Sequence, residues 1–384
     1  MVILTKRAFL GGAACAALAG CGGGAGQIGA PGVGGGSTYR PTQNAGFDSW
    51  LAGFRQRAAS SGISDSTISR AFRGAGYLPD VVERDRNQTE FKRSLEDYLA
   101  IAASDERVSK GRAALARHGN VLSRIESQYG VPAHVVTAVW GLESYYGERR
   151  GDVPVISALA TLAYDGRRGS FFESQLIAAL RILENGDITP ERMTGSWAGA
   201  MGHTQFIPTS YLSYAVDFTG DGRRDIWSDD PTDALASTAA YLNRAGWVRG
   251  QPWGGEVGSA AANSGTPSEI LQPQVPGPQF AVFRNFQVIK RYNNSNSYAL
   301  GVGHLSDRIA GAGPLKGQFG PDANGLTLAD RKRLQQRLTA AGFDTEGADG
   351  VIGPKSESAI RAYQRQNGLP ETGQPSPGLL ARLG

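Results

Sequence analysis

A chain of 384 residues, 40% of them hydrophobic, is long enough for one large core and one small one. Its formal net charge is only +4, and no basic stripe is interleaved with aromatics, which argues against a nucleic-acid binder. The four histidines (His118, His134, His203 and His304) are dispersed and show no metal-ligand spacing.

At the N-terminus, Lys6 and Arg7 precede a short apolar run, Phe9 to Leu18. It is too short to span a bilayer and is typical of an export signal. The run ends in Leu18-Ala19-Gly20-Cys21, which resembles the lipobox of bacterial lipoproteins. That resemblance implies cleavage after residue 20 and lipid on Cys21, and Gly22 in place of Asp implies sorting to the outer membrane. Each buried acyl CH2 contributes about 0.8 kcal/mol, so several chains on one cysteine anchor firmly. Thr5-Lys6-Arg7 also looks like a twin-arginine signal with Lys for the first Arg, so both export routes stay open. Cys15 would leave with the leader and Cys21 would carry lipid, so no intramolecular disulfide is expected. No later segment reaches the roughly twenty apolar residues of a membrane span. Gly22 to Ala45 is Gly-rich and reads as a flexible tether.

Next come helical patterns. Phe47 to Arg73 carries Phe47, Trp50, Leu51, Phe54 and Ala58 at helical spacing, with a cap region at Ser64-Asp65. Phe91 to Ile101 and Val108 to Tyr129 each predict a further helix, with Leu95, Leu99, Leu122 and Ile125 assigned to core. Pro132 suits the first position of another helix, in which Val135, Val136, Val139 and Leu142 form an apolar face. Glu143 follows Val139 by four residues and projects from that face. A carboxyl group there is partly desolvated, which raises its pKa and prepares a general acid. The alternative is a helix-end Glu that bends out to solvent.

The segments Ile156 to Leu162 and Phe171 to Leu183 read as helix. A dense stretch follows, SWAGAMGHTQFIPTSYLSYAVDFTGDGRRDIW, Ser196 to Trp227. Its small residues permit close backbone approach. Ser196, Gln205 and Tyr211 offer hydrogen bonds, and Trp197, Met201 and Phe206 offer apolar surface, a mixture suited to a sugar. A tight helix crossing would use the same residues. Asp217, Thr219 and Asp221 stand at positions 1, 3 and 5 of a calcium-type loop, with Gly222 at the sharp turn and the Arg223 carbonyl at position 7. Ser228 occupies the place of the usual closing Glu, so a weak structural site and an ordinary Asp-capped turn both remain open. Ala234 to Ala245 reads as helix bearing Tyr241, 251–279 as irregular, Phe280 to Tyr292 as a strand or two, and Tyr298 to Ile309 as helix. Residues 311–325 form a Gly/Pro linker, and 326–384 forms a self-contained unit of short helices.

VWGLESYYG, SWAGAMGHTQFIPTSY and YAVDFTGDGRRDIW, in that order, resemble the membrane-bound lytic murein transglycosylase B family from about Phe47 to Ile309. The resemblance implies a lysozyme-like, α-rich fold with a groove for peptidoglycan glycan strands and Glu143 as the sole catalytic acid/base. It implies substrate contacts at Ser196, Met201, Gln205 and Tyr241, and at the pair Tyr292 and Tyr298 in RYNNSNSY. It also implies a longer calcium loop closed by Asp233. Where the family carries Tyr or Gln, this chain has His203-Thr204, which could alter subsite contacts or the pH response of the groove; a surface position for His203 is the alternative. LQQRLTAAGFDTEGADGVIGPKSESAIRAYQRQNGLPETGQ closely resembles a three-helix peptidoglycan-binding domain.

The chemistry is compatible with one carboxylate. Ordinary glycosidases flank the bond with two, and here Asp152 and Asp165 lie in Gly- or Arg-rich loops. A single acid suffices if the 2-acetamido oxygen of N-acetylmuramic acid attacks its own anomeric carbon and the 6-hydroxyl then closes a 1,6-anhydro ring. The expectation is therefore a mainly α, lysozyme-like domain with minor β (46–310) and a small peptidoglycan-binding domain (326–384). It follows a leader (1–20) and tether (21–45). The protein is expected to be monomeric, periplasmic and outer-membrane-anchored, with no cofactor needed for catalysis. A muramidase hydrolase and a non-catalytic wall-binding lipoprotein are the alternatives.

Overall fold

The computed structural model describes residues 39–87 and 93–384. The expected leader, lipidated Cys21, most of the tether, and Phe91 lie outside the described residues. Among the described residues helix accounts for 52% and strand for 5%, so the protein is mainly α with minor β as expected. The described residues divide into two compact units, 39–87 with 113–246, and 93–112 with 247–384. Among the described residues no helix is long and apolar enough to cross a membrane.

The first unit opens with helix Ala45–Ser60, started by Asn44, whose side chain accepts the Phe47 N–H. Helix Asp65–Ala71 follows, capped by Ser64. The centre of the unit is the packed pair Val155–Asp165 and Gly169–Glu184. Every residue from Val155 to Ala163 is buried. Each large apolar side chain so buried contributes about 1.5–3 kcal/mol. The polar exceptions are satisfied: Ser157 Oγ accepts the Gly76 N–H at 3.3 Å and Thr161 Oγ1 the Leu78 N–H at 3.0 Å. Both arrivals come from the loop entering helix Pro79–Arg86, so the hydroxyls fix where that helix starts. The expected single helix from Val108 to Tyr129 is in fact two, Asp105–Arg117 and Gly119–Tyr129, broken at His118. The His118 ring packs edge-on against Trp140, 5.5 Å between centroids, which a continuous apolar stripe does not reveal.

The second unit carries a three-stranded antiparallel sheet with Phe280–Val282 between Gly254–Glu256 and Glu269–Leu271. Two of these strands fall in the segment expected to be irregular, and only Phe280–Val282 of the expected strand region is extended. The rest of that region is helix Arg284–Tyr292. Fully buried Asn285 decides this locally. Its Oδ1 accepts the Val248 N–H at 2.7 Å, and its Nδ2 donates to the carbonyls of Val248 and Gln251. Helix Asn296–Ile309 packs on Leu95–Ala102.

The C-terminal helices Leu328–Ala340, Pro354–Gln366 and Pro377–Arg382 enclose Leu326, Leu334, Leu338, Ile360, Tyr363 and Leu379. Thr327 and Asp330 form a capping box at the first of them. The Gly/Pro run 311–325 is anchored within its unit. The Glu256 carboxylate accepts the N–H groups of Lys316 (2.8 Å) and Gly317. Arg331, 2% exposed, sits at the join, with Glu96 at 2.8 Å, Asp97 at 2.7 Å and Asp322 at 3.2 Å.

Candidate active site

Glu143 is the penultimate residue of helix Ala133–Ser144, whose residues Val135 to Leu142 are all buried. Pro132 precedes the helix as its N-cap rather than opening it. A helix buried on all sides can present a carboxyl group only where it stops. Glu143 is half-buried there, as its place on the Val139 face predicted.

The stop is built from three successive left-handed residues, Tyr145 (φ 54°), Tyr146 (φ 60°) and Gly147 (φ 89°). Two non-glycine residues in that region carry strain that surrounding contacts must hold. Those contacts are present. The Tyr145 N–H reaches the Gly141 carbonyl at 3.2 Å, and the Ser144 carbonyl takes the Arg149 N–H at 2.8 Å. The Arg149 guanidinium lies over the Tyr145 ring, 4.6 Å from its centroid. Ser144 Oγ donates to the His203 carbonyl and accepts the Gly147 N–H at 3.0 Å. A Cβ on Gly147 would stand 2.6 Å from the His203 ring, so glycine is required by both space and φ. Directly after the turn, Gly147 to Asp152 line an open depression of about 350 Å³.

The loop 195–206 lies against this turn. Ser196 is half-buried, its N–H bound to the Ala200 carbonyl and its Oγ accepting the Ala200 N–H. Gln205 has φ 53°, and its Nε2 donates to the carbonyls of Arg150 (3.0 Å) and Gly202 (2.8 Å). Much of its hydrogen-bonding capacity therefore ties two loops together. Met201 corrects an expectation. It is 0% exposed, because its backbone pairs with both Gly195 and Phe206 and turns the side chain inward. It shapes the loop from beneath and has no surface for a sugar. Tyr241 is half-buried on helix Thr232–Arg244, 4.4 Å from the Tyr214 ring centroid and 6.1 Å from that of Phe206. Tyr292 and Tyr298 belong to the second unit, where Tyr292 ends one helix and Tyr298 lies in the first turn of the next, 5% exposed.

Histidine 203 is buried, its ring nitrogens facing Trp140 and the Ser228 carbonyl. It is 4% exposed, which removes it as a substrate contact. Arg150 beside it drew no attention in the sequence, although it is a hub. Its Nη1 donates to the carbonyls of Trp227 and Ser228, both at 2.9 Å, and its Nη2 to Asp229 at 2.8 Å. Of the acids weighed as partners for Glu143, Asp165 is bound to Arg86 at 2.6 Å and Asp152 is exposed.

Asp233, the closing residue that the family resemblance implies, meets the acidic loop. One carboxylate oxygen each from Asp217, Asp221 and Asp233 lie within 4.8 Å of one another. Asp233 is 2% exposed. Burial raises its pKa against three backbone N–H donors, and the Asp217 charge raises it further. Thr219 Oγ1 donates to Asp217 at 3.2 Å, and the Arg223 N–H to Asp221 at 2.9 Å. Gly222 has φ 87°, as the sharp turn requires. Three convergent carboxylates, one of them buried and none paired with Lys or Arg among the described residues, suit a hard cation.

A family model for the transglycosylase SLT domain matches residues 46–267 and 258–307. One for a putative peptidoglycan binding domain matches 327–383. Membrane-bound lytic murein transglycosylase B of Escherichia coli (strain K12) is 32% identical over 247 residues. That match covers 56% of this chain and 66% of that protein, so it spans about two thirds of the relative's length. Among solved structures, SltB3 from Pseudomonas aeruginosa in complex with NAG-NAM-pentapeptide is 44% identical. It has a TM-score of 0.68 over 89% of this chain and 100% of that one. Escherichia coli Slt35 in complex with calcium is 26% identical, with a TM-score of 0.58 over 71% of this chain and 96% of that one.

Proposed function

The chain belongs to the transglycosylase SLT domain family of lytic transglycosylases and ends in a peptidoglycan-binding domain, and we propose that it cuts the β-1,4 bond from N-acetylmuramic acid to N-acetylglucosamine without water, leaving 1,6-anhydro ends. The observation that carries this reading is Glu143, a half-buried carboxyl group at the end of an otherwise buried helix, held by a strained turn. The pairing of Asp165 with Arg86 supports a single-acid route.

In that route Glu143 gives its proton to the glycosidic oxygen as the C1–O4 bond breaks. The 2-acetamido oxygen bonds to C1 in the same sugar, an effectively unimolecular attack. The Glu143 carboxylate then removes the proton of the 6-hydroxyl, and O6 displaces the acetamido oxygen from C1. Glu143 ends protonated, as it began. Ser196, Gln205, Tyr241 and Tyr292 are the proposed sugar contacts, with Met201 and Tyr298, which is 5% exposed, acting only through packing. Asp217, Asp221 and Asp233, helped by Thr219 and the Arg223 carbonyl, would hold a structural calcium that takes no part in the reaction. The relationship to a membrane-bound relative supports action in the cell envelope. Lipid on Cys21 and sorting to the outer membrane are part of the proposal.

Digestion of purified peptidoglycan followed by mass spectrometry tests this. The expected products carry anhydro ends, and reducing ends one water heavier would favour a muramidase. Glu143→Gln should lower cleavage by about 10²–10⁴-fold, the usual contribution of a general acid, while pelleting with peptidoglycan persists. Full lytic activity in Glu143→Gln would remove the residue from its assigned role.

A further inference from the structure

We infer that His203, as the neutral Nε2–H tautomer, is a positioning residue that clamps the Glu143 turn to the 225–229 loop and so holds the acid in its working place. This rests on the assignment of Glu143 above.

The geometry determines the tautomer. Trp140 Nε1, an indole N–H with no acceptor capacity, lies 3.1 Å from His203 Nδ1, which must therefore be the acceptor. His203 Nε2 is 2.7 Å from the Ser228 carbonyl, which can only accept, so the ring proton sits on Nε2. Arg150 Nη1 lies 3.2 Å from the same Nε2, but its hydrogens are directed to the carbonyls of Trp227 and Ser228. The backbone completes the clamp. The His203 carbonyl takes the Ser144 hydroxyl one residue after Glu143, and the His203 N–H donates to the Ile226 carbonyl at 3.0 Å. One buried residue thus joins helix Ala133–Ser144, its left-handed turn, Arg150 and the 225–229 loop.

A second proton on the ring would have to sit on Nδ1, facing the Trp140 N–H, and the clamp would break. The charged groups around the ring are Arg150, which opposes that proton, and Asp229 and Asp225, which favour it. Burial is the largest influence and holds the pKa below the ordinary histidine value. The neutral clamp is therefore complete above that value and is lost as pH falls.

Nitrogen NMR of histidine-labelled full-length protein reads the tautomer without turnover. Nε2–H at pH 7, persisting below the titration of an ordinary histidine, is expected, whereas an Nδ1–H tautomer or an imidazolium at pH 7 overturns the inference. In kinetics, His203→Ala should lower kcat about 10–100-fold with KM within about threefold, the scale of a small misplacement of a catalytic group. His203→Gln still offers an N–H to Ser228 and does not titrate, so it should recover part of kcat and lose the acid limb of the wild-type pH profile. Wild-type kcat and an unchanged acid limb in both folded variants would overturn it. Activity in Glu143→Gln would instead sink the assignment of the acid and leave the histidine NMR result standing.

Discussion

Asp307→Asn offers a quantitative test of the second unit's interior. Asp307 lies on helix Asn296–Ile309 and accepts the Trp253 Nε1–H at 3.0 Å. Burial pushes its pKa up to about 7, against the Trp253 hydrogen bond, which lowers it. An unfolded Asp titrates near 3.9. Between those values the folded protein binds the proton and the unfolded chain does not. Stability linked to Asp307 is thus fully present below about pH 4 and is lost as pH rises through about 7. A gap of about three pH units at about 1.4 kcal/mol each gives a loss of about 4 kcal/mol by pH 8. Asn keeps the acceptor for Trp253 and cannot ionise. Urea denaturation of both proteins from pH 5 to 8 should show the Asn variant gaining on wild type by about 1.4 kcal/mol per pH unit up to about 7, then levelling. His304, lowered to about 4 by burial, tilts wild-type stability the other way below its unfolded value, and it cancels in the difference because both proteins carry it. Parallel stability curves would refute the reasoning, for they would mean that Asp307 ionises like an exposed carboxylate.

Arg331→Met removes the cation between Glu96, Asp97 and Asp322. It should destabilise the second unit by about 3–5 kcal/mol, the cost of leaving a buried charge unpaired. Differential scanning calorimetry measures this, and an unshifted melting temperature would show that the cluster is solvated. Calcium at about a hundred times its Kd should stabilise the protein by about 2.7 kcal/mol. Chelation should reverse that gain without ending peptidoglycan cleavage, and no change in melting on adding calcium would dismiss the Asp217, Asp221 and Asp233 site.

Local signals were legible where one turn of chain contains the whole cause. Ser64 caps a helix through a hydroxyl that accepts the N–H three residues on, so spacing alone reveals it. The face of Val135, Val136, Val139 and Leu142 is buried as its 3.6-residue period predicts, but the burial of Thr137, Ala138, Trp140 and Gly141 on the other side comes from the fold. The Gly222 turn is equally short-range.

Features set by distant partners were not legible. Helix rather than strand at Arg284–Tyr292 depends on Asn285 meeting the backbone at Val248 and Gln251. At the helix break the His118 ring meets Trp140, and Met201 turns inward where it pairs with Gly195 and Phe206. Most of all, the protonation state of His203 is set by Trp140, 63 positions before it, and Ser228, 25 positions after it. Composition and periodicity report what a residue prefers on its own helix or strand. Which nitrogen carries a proton is decided by the donor or acceptor facing it, and only the folded chain brings those atoms within 3.1 Å.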